Sequence, residues 1–234
     1  MPLWNKGEKI MNKCAIAIDG PSGAGKSTIS KLLAKELGFT YVDTGAIYRT
    51  VGVYVKRMGV NPKDAAQVEK LLPQINIEIA HRDGVQRLFL NGDDVTDEIR
   101  EHVISAYASD VSAIPAVRAF LLDMQREFAR RDNVIMDGRD IGTVVLPDAK
   151  IKIFLTATDE DRAHRRYDEL ILKGQSVSFE TVLSDMRARD KQDSSRSVAP
   201  LAAAEDAVTV DTTGNTLEES VKLLKNIIKE RMNG

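Results

Sequence analysis

Residues Gly20 to Ser27 read Gly-Pro-Ser-Gly-Ala-Gly-Lys-Ser, a G-x-x-x-x-G-K-[ST] string in which each part can act on phosphate. Its glycines let the backbone curl until successive N–H groups converge on phosphate oxygens, and a helix starting behind them adds its dipole. Lys26 has the reach for β- and γ-phosphates, and Ser27 has a hydroxyl suited to Mg²⁺. The candidate triphosphate site is therefore the run Gly20, Pro21, Ser22, Gly23, Ala24, Gly25, Lys26, Ser27 and Thr28. An apolar strand pattern precedes it and an amphipathic helix pattern follows, which is the context such a loop requires.

A phosphate-binding loop alone does not separate a kinase from a switch. A guanine-specific switch carries N-K-x-D on a late strand, whereas the Asn-Lys pairs here, Asn5-Lys6 and Asn12-Lys13, both precede the loop and are followed by Gly-Glu and Cys-Ala. Arginines are instead dispersed over the chain, at Arg49, Arg118, Arg139, Arg162, Arg165, Arg166, Arg187, Arg189 and Arg196. The planar guanidinium fork suits phosphate oxygens, and two nucleotides facing one another need many such donors. Arg162, Arg165 and Arg166 share a predicted helix with Asp159, Glu160, Asp161, Asp168 and Glu169, so surface pairing is an alternative reading of them. Asp137, closing Val-Ile-Met-Asp, either positions Mg²⁺ through water or holds the Gly138 turn. A nucleotide-binding module without transfer activity stays open on these residues, as does a kinase for another small acceptor.

The elements that must carry these groups alternate. Apolar β-rich runs at Cys14–Ile18, Thr40–Val42, Val134–Met136, Ile151–Leu155 and Val208–Val210 are separated by helical periods. That order predicts an α/β fold with a parallel sheet covered on both faces. The helix from Lys26 to Leu37 sets Ile29, Leu32, Leu33 and Leu37 on one face and stops at Gly38. Thr44 is suited to cap the next helix, to about Met58, and Thr216 with Glu219 forms a capping box for the last, with Val221, Leu224, Ile227 and Ile228 inward. Ile75 to Val95 breaks the rhythm: it alternates at period two about Arg82-Asp83-Gly84, with a second turn at Asn91-Gly92, and reads as an antiparallel hairpin within an insertion. Asp93-Asp94 reads as a solvated turn.

Composition bounds the rest. The chain has 234 residues, 43% hydrophobic and 29% charged, with net charge −2 from 33 basic and 35 acidic groups. Such a balance offers no global field to nucleic acid or an anionic membrane, so any polyanion must meet local positive charge. A single cysteine, Cys14, excludes an internal disulfide and a cysteine metal site, and the three histidines (His81, His102, His164) lack ligand spacing. With no signal-like or bilayer-spanning run, a cytoplasmic protein is expected. Residues 1–12, with Trp4, read as a flexible extension or an upstream start before Met11.

Several strings then carry a resemblance. Asp43-Thr-Gly-Ala-Ile-Tyr-Arg49, Asp137-Gly-Arg-Asp140 followed by Ile141-Gly-Thr143, Arg162-Ala-His-Arg-Arg166, and Arg189-Asp-x-x-Asp193-x-x-Arg196 with Ala199-Pro-Leu201 together resemble the bacterial cytidylate kinase family. The resemblance runs from about Met11 to the C-terminus and departs only at residues 1–10. It implies a P-loop three-layer core with a five-stranded parallel sheet, over 13–70 and 112–234. It also implies a monophosphate-binding insertion over about 71–111 and a helical lid within about 157–200. The implied activity is transfer from ATP, with Mg²⁺, to CMP and dCMP, by a monomer. The resemblance puts Thr44, Arg49 and Arg139 around the acceptor phosphate and Tyr48 beneath the nucleotide. It directs Ser109 and Asp140 to the cytosine amine, Arg118 to O2 and N3, and Arg189, Asp193 and Arg196 to sugar and phosphate. Lys26, Arg139, Arg162 and Arg166 are the implied catalytic set, and Ser27 with Asp137 the implied metal set. Because a phosphate monoester is mostly dianionic at neutral pH, no general base is required, and positioning and charge neutralisation remain as the work.

Overall fold

Val, Ile and Leu runs that can be buried on both sides become the strands of a parallel sheet, and the helical periods between them become its cover. The structure, a computed structural model, describes residues 13–82 and 85–233; residues 1–12, with Trp4, and Asp83-Gly84 lie outside the described residues. In chain order the elements are β1 (Ala15–Asp19), α1 (Lys26–Leu37), β2 (Thr40–Asp43), α2 (Thr44–Arg57), α3 (Ala65–Leu71), β3 (Ile77–Arg82), β4 (Val85–Leu90) and β5 (Asp93–Asp94). They continue as α4 (His102–Val111), α5 (Pro115–Arg131), β6 (Val134–Gly138), β7 (Ile151–Thr156), α6 (Asp159–Leu172), α7 (Phe179–Ser194), β8 (Val208–Asp211) and α8 (Leu217–Asn233). A five-stranded sheet runs β2-β6-β1-β7-β8, every pair parallel, and β3-β4-β5 forms a separate antiparallel sheet.

One face of the large sheet packs against α1 and α8 through Ile16, Ile18, Ile29, Leu33, Leu224 and Ile228. The other packs through Val42, Ile47, Val51, Val117, Leu121 and Met136, and that core continues without a break into Leu88, Leu90, Ile99 and Ile104 of the insertion. The small sheet is also tied to β2 by polar contacts: Gln86 Oε1 accepts from Asp43 N at 2.9 Å, and His81 Nε2 meets Tyr41 O at 2.9 Å. By contrast α6 and α7 share a small core of their own, Ala163, Leu170, Val182 and Met186. Among the described residues no helix is long and apolar enough to cross a membrane.

Several local expectations change. Leu32 is 39% exposed, and Ser30 and Ala34 are buried in its place, because the face of α1 that meets the sheet is rotated toward them. The cap of α2 is Asp43, whose carboxylate accepts from Ala46 N at 2.9 Å, while Thr44 is the first helical residue and donates its hydroxyl to Asp137 O at 2.8 Å. Either residue type can cap; the tertiary contact to β6 takes the threonine. Asp93-Asp94 pairs with β4 as a short strand, held by Arg57 to Asp93 and Arg87 to Asp94, each at 3.1 Å. The capping box forms as expected, with Glu219 N donating to Thr216 Oγ1 at 3.2 Å and Thr216 N to Glu219 Oε2 at 2.8 Å.

Candidate active site

The phosphate loop leaves the central strand and is squeezed between neighbours. Gly20, at φ +150°, lies so close to β7 that a Cβ would stand 2.0 Å from Leu155 O. Gly23, at φ +72°, would meet Met186 Cε at 2.6 Å and Arg162 O at 2.8 Å, both on the α6–α7 pair. Only glycine satisfies both positions, for backbone angle and for space. Lys26 Nζ spans the loop and donates to Gly20 O and Pro21 O, each at 2.7 Å. Burial, and then the charge of Arg139, lower its pKa well below the ordinary lysine value. An arriving anion opposes both effects by favouring the charged amine.

Ser27 Oγ donates to Asp137 Oδ2 at 2.7 Å, and Tyr41 OH donates to Oδ1 at 3.0 Å. The carboxylate thus faces the phosphate loop rather than the Gly138 turn. A hydroxyl and a carboxylate side by side at the loop are hard oxygen donors of the kind Mg²⁺ uses alongside phosphate and water, so the pair fits that ion. Burial, and then the charge of Asp43, push Asp137 up to about 6. Its folded value lies above its unfolded value, so stability falls as pH rises from about 4 through 6, and the loss is complete above that window. The ionised group is therefore a net cost to the free protein at neutral pH. Asp137→Asn is therefore expected to resist urea better than the parent at pH 8, with the difference closing toward pH 4. Parallel unfolding curves for the two proteins at both pH values would remove Asp137 as the source of that cost.

Opposite the loop stands a second compartment rich in arginine. Arg139 Nε donates to Asp193 Oδ2 at 2.8 Å, and Arg196 Nη2 donates to Asp193 Oδ1 and, at 2.9 Å, to Ser112 Oγ. Burial alone would raise Asp193, but the charges of Arg139, Arg196 and Arg189 overcome it and hold the carboxyl below its usual range. Arg189 has the opposite balance: burial, then Arg139, lower it to about 9. The buried Nε groups of Arg189 and Arg196 find no hydrogen-bond partner among the described residues. Deeper in, Arg118 pairs with Asp140 Oδ2, donates to Ser112 O at 3.1 Å and lies 5.4 Å from the Tyr48 ring centre. Burial raises the Tyr48 phenol.

Loop and compartment line one cleft of about 680 Å³, which Thr44, Tyr48, Arg49, Asp137, Asp140, Arg165 and Arg166 also line. Ser109 lies just behind the lining: its Oγ is buried without a partner among the described residues, and its carbonyl accepts from Ser112 Oγ at 2.8 Å. Arg162 is also set back. It is 4% exposed and gives its N–H groups to Ala157 O (3.0 Å), Ser22 O (2.7 Å), Asp190 (2.5 Å) and Asp159 (2.5 Å), so it braces the loop from behind. Surface pairing does describe Arg166, bonded to Glu169 at 2.7 Å, and Arg187, bonded to Asp159 at 2.9 Å and Glu160 at 2.7 Å. Sequence reasoning overlooked Asp190, whose Oδ1 accepts from Ser22 N at 3.0 Å and joins α7 to the loop. Its place inside the Arg189-Asp-x-x-Asp193 string was the available signal.

A parallel sheet with a phosphate loop after its central strand, opening on a second anion compartment under a helical pair, defines a P-loop kinase. The cytidylate kinase family model matches residues 16–230. A cytidylate kinase of Caldicellulosiruptor bescii is 52% identical over 209 residues, spanning 89% of this chain and 92% of its own. One of Geobacter sulfurreducens is 49% identical over 216 residues, spanning 92% and 93%. This chain belongs to the cytidylate kinase family.

Proposed function

We propose that this chain transfers the γ-phosphoryl group of ATP to CMP and dCMP, giving CDP and dCDP by in-line displacement. The observation that carries this reading is the single cleft in which Lys26 and the loop face Arg139, Arg189 and Arg196, with buried guanidinium N–H groups that lack partners among the described residues. Such a surplus of desolvated positive charge needs an anion on each side of the reacting phosphoryl group, and a switch has no second nucleotide to supply.

In this reading residues 20–28 hold ATP, and Lys26 exchanges the loop carbonyls for phosphate oxygens. Arg49 and Arg139, with Thr44 beside them, take the acceptor phosphate, Tyr48 lies beneath the nucleotide, and Arg189, Asp193 and Arg196 hold sugar and phosphate. Asp140 and Ser109 accept from the cytosine amine, and Arg118 donates to O2 and N3. Ser27 and Asp137 would hold Mg²⁺, which supplies charge neutralisation at the transferring group. The acceptor is already an oxyanion, so the protein aligns and neutralises rather than removing a proton. Residues 71–111 serve as the monophosphate-binding insertion and the helices within 157–200 as the lid, whose separate core supports movement as a unit. Arg166 acts from that lid directly; Arg162 does so on closure, by exchanging Asp190 and Asp159 for phosphate. Closure over both nucleotides excludes water, the competing acceptor. The enzyme works as a cytoplasmic monomer.

Release of ADP with CMP, dCMP, UMP or AMP as sole acceptor tests the assignment. CMP and dCMP are expected to be turned over at least about tenfold more efficiently than the others. Equal rates with all acceptors, or no response to CMP, would sink it.

A further inference from the structure

Asp19 is the last residue of the central strand, one position before the phosphate loop, and its carboxylate is spent on backbone N–H groups from another part of the chain. It accepts from Ile141 N at 2.8 Å and from Gly142 N at 2.7 Å, beyond the C-terminal end of the neighbouring strand β6. Those two N–H groups open a single π-helical turn, Ile141–Val145, that follows Asp140 directly. The other end of the turn is held as well. Arg126, on α5, donates from Nε to Val145 O and from Nη2 to Val144 O, each at 3.0 Å. A carboxylate on the free N–H groups and a guanidinium on the free carbonyls complement the dipole of the turn at both ends. The wide turn itself closes on Asp140, whose carbonyl accepts from Val144 N at 2.9 Å and Val145 N at 3.1 Å. Gly142 is seated against this bracket, since a Cβ there would lie 3.4 Å from Asp19 Oδ2 and 3.2 Å from Lys152 Cδ.

We infer that Asp19 and Arg126 are positioning residues for base selection: by gripping the two ends of the 141–145 turn they set the Asp140 carboxylate against the amine of cytosine. This rests on the proposed reading of the base by Asp140. A π turn is an uncommon arrangement that is frequently found at functional sites. Asp140 is joined to Arg118 by its side chain, but its main chain is located by this turn. With either grip released, the carboxylate gains room to move away from a carbonyl at the same ring position, and uracil is tolerated. The grip from Asp19 also gives the donor loop and the base reader one common anchor at the end of β1, so the distance between the two nucleotides is held by the strand rather than by the lid.

The test uses the full chain with four substitutions: Asp19→Asn, Arg126→Met, Arg126→Lys and Asp140→Asn. An amide at position 19 keeps one acceptor and turns a donor toward the second N–H; methionine at 126 keeps the stem and loses both donors. The readouts are kcat/KM for CMP and for UMP at saturating ATP, KM for ATP, and a thermal melt to confirm folding. Asp19→Asn and Arg126→Met are expected to lower the CMP-to-UMP ratio about tenfold, through KM for CMP, with KM for ATP moving less than about twofold. Arg126→Lys is expected to recover part of the ratio. A merely structural role would lower activity toward both acceptors together and leave the ratio where it was. Folded Asp19→Asn and Arg126→Met proteins with the parental ratio overturn the inference when Asp140→Asn lowers it. If Asp140→Asn also leaves the ratio unchanged, the base-reading assignment falls and the inference falls with it. Should Asp19→Asn fail to fold, the Arg126 pair decides alone.

Discussion

Replacing Lys26 with methionine is expected to lower kcat by about three orders of magnitude or more while leaving the protein folded. Methionine preserves the buried stem, which is 7% exposed in the parent, so the packing of α1 beneath the loop persists. What is lost is a desolvated cation whose hydrogen bonds, among the described residues, go to the loop carbonyls Gly20 O and Pro21 O before the nucleotide arrives. In a cleft closed to water such a charge acts on the transferring group at low dielectric, where it is worth far more than in solvent. The loss therefore belongs to kcat more than to KM for ATP, since the backbone N–H groups of the loop still bind phosphate. Single-turnover measurement of ADP formation checks this, alongside a melt of the free protein. A folded Lys26→Met enzyme with parental turnover would take the loop out of the reaction.

Asp140→Asn is expected to erode the preference for CMP over UMP by roughly a hundredfold. The buried carboxylate, 4% exposed, is an acceptor only, and it is paired with Arg118 on one side. Cytosine meets it with a donor, whereas uracil brings a second acceptor and leaves two lone-pair groups facing each other without water between them. An amide presents a donor as well as an acceptor, so it can face either base. Its oxygen still accepts from Arg118, which keeps the guanidinium from being stranded and separates the effect on selectivity from loss of fold. The ratio of kcat/KM for CMP and UMP is the measurement; an unchanged ratio would show that the base is read elsewhere.

Those predictions draw on different kinds of information. The loop at residues 20–28 was legible because it is local: strand, glycine-rich turn and helix follow one another in sequence, and each segment announces its period. The five strands, the hairpin and the Thr216–Glu219 box were legible for the same reason, as were the arginine-bearing strings. Other features depend on partners that sequence distance conceals. Arg162 shares a helix with acids that could have paired it at the surface, but it is buried because Ser22 O and Asp190 reach it from elsewhere in the chain. Thr44 looks like a cap until β6 offers it a carbonyl, and Leu32 looks like core until the sheet selects the adjoining face of α1.

Composition, periodicity and motif thus determined the fold class, the phosphate chemistry and the set of charged residues from which a second anion site could be built. Only the tertiary structure decided which of those charges face the cleft, which brace it from behind, and which backbone groups Asp19 and Arg126 hold. The physical reason is that local signals fix backbone conformation over a few residues, whereas desolvation and hydrogen bonding act between groups brought together by packing. Asp19 and Ile141, 122 positions apart, have nothing in common until the sheet sets β1 beside β6 and brings the turn that follows β6 to the end of β1.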